Sequence, residues 1–109
     1  MGTQARRLKL HNKLCEILGS NHVYYQPPES VKMVYPCIVY HRNTTRKFNA
    51  DNKKYLSYDS YDVTFICKDP DSDIPDAIED GFSMIRRETR YTAEGLYHDP
   101  FYLYYQGGN

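Results

Sequence analysis

Four histidines and three cysteines are the side chains of this 109-residue chain best suited to metal binding or nucleophilic attack, and their spacing works against both. His11, His22, His41 and His98 stand apart. No H-x-x-x-H or C-x-x-C pair would let one local element turn two ligands toward a single ion. His98-Asp99 comes nearest to a dyad, but neighbours on a strand point to opposite faces unless Pro100 turns the chain. Cys15, Cys37 and Cys67 are odd in number and lack paired spacing. They are expected to be small buried hydrophobes in a reducing compartment. Asp69-Pro70-Asp71-Ser72-Asp73 has the alternating carboxylates of a calcium loop. However, Ile74 stands where that loop requires glycine, and Asp80 where it takes glutamate. A turn leading into a helix cap accounts for the whole string. There is no glycine-rich phosphate loop, no G-x-S-x-G elbow and no cysteine with a matched histidine. The expectation is a protein that is not an enzyme and carries no metal or cofactor.

Binding chemistry is better represented. The formal net charge is zero, which argues against nucleic-acid affinity spread over the whole surface. The charges are nevertheless segregated. Arg42, Arg46, Lys47, Lys53 and Lys54 face a single acid, Asp51, in their stretch. Asp69, Asp71, Asp73, Asp76, Glu79 and Asp80 follow one another with no base between them. Head-to-tail assembly of identical copies uses such a pair of patches, one positive and one negative. Two solvated loops would look the same in sequence. The basic run, with Phe48, Tyr55 and Tyr58 close by, also suits a small nucleic-acid-binding module that stacks on bases and neutralises phosphates. Twelve tyrosines and no tryptophan suit a sheet with one half-exposed face that becomes an interface; Tyr102 and Tyr104 would share such a face.

These residues need elements to position them. Leu8, Leu10, Leu14, Cys15, Ile17 and Leu18 follow a helical period, with Arg6, Lys9, Asn12, Lys13 and Glu16 opposite. The helix predicted over Gln4–Leu18 has Thr3 as N-cap and Gly19 as its stop. An extended piece, His22–Gln26, is closed by Pro27-Pro28, and Pro36 fixes the start of a strand over Cys37–Arg42. Ile38 and Tyr40 share one face of that strand, with Cys37, Val39 and His41 on the other. Asn43–Asn52 is polar and basic, read as a protruding hairpin or a mobile arm over about 43–57. Tyr58–Lys68 is a strand on which Tyr61, Val63, Phe65 and Cys67 alternate with Asp62, Thr64 and Ile66.

A second helix follows, with Asp73 as N-cap and Pro75 in its first turn. Its apolar stripe of Ile74, Ala77, Ile78, Gly81, Phe82 and Ile85 ends at Arg86-Arg87. Thr89–Ala93 and Leu96–His98 are extended pieces split by Glu94-Gly95, Phe101–Tyr105 is a final strand, and 106–109 is a flexible tail. The fold class is therefore α+β in one domain: an antiparallel meander with both helices packed on one face, and a long protruding hairpin or arm. The N-terminus has no signal-peptide core and no apolar run approaches a membrane span, so the protein is expected in the cytosol.

Several of these segments together resemble the tail-terminator (tail-completion) proteins of long-tailed bacteriophages, which sit at the head-to-tail joint. The resemblance rests on the amphipathic first helix, Tyr25-Gln26-Pro27-Pro28, and Met33-x-Tyr35-Pro36-Cys37-Ile38-Val39-Tyr40. It continues through Ala50-Asp51-Asn52 with Tyr55 downstream, Lys68-Asp69-Pro70-Asp71-Ser72, and Leu96-Tyr97-His98-Asp99 before the closing strand. It covers roughly Leu8 to Tyr105 and consists of structural residues, with no catalytic signature. It implies a structural virion protein without enzymatic activity, a homo-oligomer forming a ring, typically of six copies. The ring would cap the tail tube and dock on the head-side connector, with the genome passing through its channel without sequence-specific binding. The head-completion stopper of the same joint is a similar small, ring-forming, β-rich protein.

Overall fold

The first element, α1 (Thr3–Leu18), ends where Gly19 adopts φ +82° and its N–H donates to the Cys15 carbonyl at 2.8 Å. Only glycine adopts that geometry without a steric cost. In this computed structural model, residues 3–50 and 54–106 are described, with side chains at 4–43 and 59–106. The elements that follow are β1 (Val23–Tyr25), β2 (Cys37–Ala50), β3 (Lys54–Cys67) and α2 (Ile74–Asp80). The chain closes with β4 (Ile85–Arg87), β5 (Tyr91–Ala93) and β6 (Leu96–Tyr105). Among the described residues these make an α+β fold of two helices and one six-stranded mixed sheet, in the order β1-β2-β3-β6-β4 with β5 also on β6.

The sheet is thus not the wholly antiparallel meander expected from the sequence. β1 runs parallel to β2, pairing Val23 with Ile38 and Tyr25 with Tyr40. The reason is the connection. Pro27-Pro28 prevents a tight hairpin, and the segment 26–36 is long enough to carry the chain back to the starting end of β2. The other pairings are antiparallel, but β6 enters between β3 and β4 and so breaks the sequential order. Ten residues of β6 alternate apolar groups into the core, whereas β4 and β5 are three residues each and only share its outer edge.

Both helices cover the same face of the sheet. Leu10 and Leu14 of α1 and Ile78 of α2 are fully buried against Ile38, Tyr40, Val63, Phe65 and Leu103. Each such side chain contributes roughly 1.5–3 kcal/mol by leaving water. The polar and apolar sides of α1 need one correction. Arg6 is buried, since it stands at four-residue spacing from Leu10 and Leu14, while Leu8 is exposed.

The second helix is also shorter than expected. It stops at Asp80, and Arg86 and Arg87 belong to β4. At Gly81 a Cβ would lie 3.0 Å from Ile17 Cδ1, so α1 presses against that point. The Gly81 N–H donates to the Ile78 carbonyl at 3.2 Å, a tightened last turn. Ile85–Arg87 then find backbone partners on β6, which a continued helix would forgo. Asp73 occupies the N-cap position without a side-chain capping bond; Ser72 Oγ accepts the Ile74 N–H instead, at 3.2 Å.

The hairpin between β5 and β6 follows the sequence closely. Ala93 pairs with Leu96 across Glu94 and Gly95, both at positive φ (54° and 76°), the geometry of a two-residue type I′ turn. Cys37 and Cys67 are buried and Cys15 half-buried, all three free. The arm expected over 43–57 falls almost wholly outside the described side chains, and the tail residues 107–109 outside the described chain. Among the described residues no helix is long and apolar enough to cross a membrane.

Candidate functional site

The strongest charges of the described structure are spent on holding elements together. Arg6 of α1 donates through Nε to Asp59 Oδ2 at 2.8 Å and through Nη2 to Oδ1 at 3.4 Å; the Asp59 carboxylate is fully buried. The pair pins the first turn of α1 to β3 at the last register position that β3 shares with β6, Asp59 opposite Tyr105. Arg90 forks onto Asp99, with Nε to Oδ1 at 2.8 Å and Nη2 to Oδ2 at 3.1 Å. Its Nη1 donates to the Pro70 carbonyl at 2.9 Å. Arg87 of β4 reaches back to α2, donating to Asp76 at 2.7 Å and Glu79 at 3.3 Å. The hydrogen bond to a carboxylate is the main cause that raises the pKa of each of these guanidinium groups. His98 and Asp99 turn to opposite faces, so they form no dyad.

The reactive side chains are similarly withdrawn. Burial pushes the Cys37 thiol up to about 11 and raises Cys15 and Cys67 as well, which leaves little thiolate near neutral pH. His11 Nδ1 lies 2.8 Å from the Tyr40 hydroxyl, which also accepts from Arg7 at 3.3 Å. Desolvation and then the nearby Arg7 lower the His11 pKa, and burial raises that of Tyr40. The cluster lies between α1 and β2 and fixes the helix on the sheet.

What remains is the second face of the sheet, which neither helix covers; at one end Cys37, Ile66 and Leu96 are buried there with Met33 packed against them, and the rest is half-buried or exposed. Strand alternation places Tyr24, Val39, His41, Asp62, Thr64 and Tyr102 there, continued by Tyr104, Arg86 and the Tyr91–His98 pair. Its groups are ordered against one another. Tyr102 and Tyr104 meet edge to face at 5.3 Å, and the Arg86 guanidinium lies 5.2 Å over the Tyr102 ring. Tyr91 stacks on His98 at 4.7 Å, and His41 Nε2 lies 3.2 Å from Asp62 Oδ2. Two shallow grooves open at its margins. One, of about 250 Å³, is lined by Ser83, Met84, Ile85, Arg86, Tyr102 and Tyr104. The other, of about 430 Å³, is lined by Gln26, Pro27, Val39, His41 and Arg42. Aromatic rings with wet hydroxyls and a stacked arginine are the chemistry of protein contact.

The residues expected at an interface have separate fates. Tyr102 and Tyr104 come together on the helix-free face, and Arg42 is exposed on β2. The side chains of Arg46, Lys47, Lys53 and Lys54 lie outside the described residues. In the acidic run, Asp76 is already paired with Arg87, and Asp69 Oδ1 accepts the Asp71 N–H at 2.9 Å. Asp71 and Asp73 are exposed. Sequence reasoning missed the Arg6–Asp59 pair, although a signal existed. Asp59 shares the strand parity of Tyr61 and Val63, and a carboxylate on a core face needs a cation. Arg86 over Tyr102 was hidden because Arg86 was placed on a helix. No protein-family model matches the chain, and no curated protein matches it.

Proposed function

We propose that this chain is a structural virion protein, the tail terminator of a long-tailed bacteriophage. It forms a ring on the completed tail tube, joins the tube to the head connector and leaves a passage for the genome. It acts by fitting surfaces together and has no substrate to transform. The observation that carries this reading is the helix-free sheet face, where Tyr102, Tyr104 and Arg86 are packed against one another on a six-stranded support. Anchors held in one rotamer lose little further entropy on contact, which favours a permanent joint between proteins. The described arginine–carboxylate pairs, withdrawn thiols and separated His98 and Asp99 fit a scaffold role.

The test is a mass measurement of the purified protein alone and after mixing with tail-tube protein. A multiple of the 12.9 kDa chain mass that caps tubes is the expected result. A strict monomer that ignores the tube overturns the reading. Binding to the head-side connector with no affinity for the tube would assign the chain to the stopper of the same joint.

A further inference from the structure

The strand order sorts the charge of this chain by edge. The β1 border, with the 26–36 segment and the start of β2, holds Lys32 and Arg42 against one acid, Glu29, and Arg7 of α1 lies over the Tyr25 ring, a balance of +2. Two other bases of α1 lie across the sheet, Arg6 on Asp59 of β3 and Lys13 over Phe82. Residues 69–95, which build α2, β4 and β5, hold eight acids and three bases, a balance of −5. β1 is one border of the sheet, while β4 and β5 form the other. Four strand spacings separate them, about 19 Å. The molecule therefore has a weakly basic border and a more strongly acidic one on opposite sides. Internal pairing does not cancel this. Lys32 and Arg42, with Glu29, on one side and Asp71, Asp73, Asp80 and Glu94 on the other are exposed and make no ion pair among the described residues.

Two further features repeat the division. Large apolar side chains are exposed at both borders: Val31 and Val34 in the segment beside β1, Met84 and Tyr91 beside β6's outer edge. The groove of about 250 Å³ lies at the second border, next to Met84. Both borders also present open backbone. β1 bonds to β2 through the His22 carbonyl and the Gln26 N–H, so the backbone groups of Val23 and Tyr25 turn outward. β4 bonds to β6 through the Met84 carbonyl and the Glu88 N–H, so those of Ile85 and Arg87 turn outward.

We infer that copies of this chain associate head to tail through these two borders, β1 with the 26–36 segment of one copy against β4 and β5 of the next. The occupant of each border is a second copy because the two complement each other in charge while neither complements itself. An interface between two different patches propagates, and it closes into a ring when the rotation per copy allows. The inference builds on the ring reading above by naming its contact.

Charge reversal on one border at a time tests it. One variant carries Lys32→Glu and Arg42→Glu, the other Asp80→Lys and Glu94→Lys, all at exposed positions. Each variant alone should fall to the mass of a single chain while keeping the wild-type circular dichroism spectrum. Mixed in equal amounts, they should recover the wild-type mass with the two variants in equal numbers, since each reversed border meets its new complement. Recovery also shows that both variants are folded. Variants that keep the wild-type mass, or a mixture that stays monomeric, overturn the border contact while leaving the ring reading standing. Wild-type protein that forms open chains sensitive to both variants supports the contact and removes the ring. Wild-type protein that is monomeric at every concentration removes both.

Discussion

Replacing Arg6 with methionine should destabilise this protein more than any other single change at a charged residue. Methionine keeps most of the apolar stem that packs beside Leu10 and removes the guanidinium. Asp59 then loses contacts at 2.8 and 3.4 Å while its side chain remains fully buried. Removing one partner from a buried pair costs about 3–5 kcal/mol, because the remaining charge is left in a medium that solvates it poorly. Set against a total stability of about 5–15 kcal/mol for a domain of this size, that is a large share. It lowers the thermal midpoint by about 12 °C or more. The double variant Arg6→Met/Asp59→Leu removes both charges and should return to within about 1 kcal/mol of wild type. Urea unfolding followed by far-ultraviolet circular dichroism measures both, and high salt should barely change the difference because the pair is shielded from solvent. The reasoning fails if Arg6→Met costs less than about 1 kcal/mol, or if the double variant is as unstable as the single one.

Among the described residues the buried Tyr61 hydroxyl has no hydrogen-bond partner, so Tyr61→Phe should leave stability unchanged or raise it by up to about 1 kcal/mol; a clear loss in urea unfolding would contradict this. Gly95→Ala meets open space but must hold φ +76°, a cost of about 1–2 kcal/mol that thermal melts would register. Iodoacetamide at mildly alkaline pH should label the half-buried Cys15 well before Cys37, whose thiol burial pushes up to about 11, as peptide mass mapping would show. The folded protein holds His11 below its ordinary pKa of 6.5, so its contribution to stability is complete above that value and is lost as pH falls through the folded pKa. Melting temperatures should therefore drop on acidification, and less steeply in His11→Asn.

Local chemistry was legible in the sequence wherever one element decides the outcome. Gly19 and Glu94-Gly95 lie at positive φ as their turns require. The alternation of Tyr61, Val63, Phe65 and Cys67 set the core face of β3 correctly, and the opposite directions of His98 and Asp99 followed from the same period. The misreadings arose where the competing partner lies far away in the chain. The apolar stripe through Ile85 suits a longer helix until β6 offers Ile85–Arg87 a ladder. Arg6 looks like a solvated residue until Asp59, 53 positions away, arrives beside it.

Two amphipathic helices, alternating strands and separated blocks of charge follow directly from the order of residues, because periodicity and composition are local properties. The parallel pairing of β1 with β2 and the place of β6 between β3 and β4 emerge only when the elements pack together. Those choices depend on which strands find hydrogen-bond partners and apolar cover across long loops. They set the acidic block at the β4–β5 border of the sheet, and they leave one tyrosine-lined face without a helix.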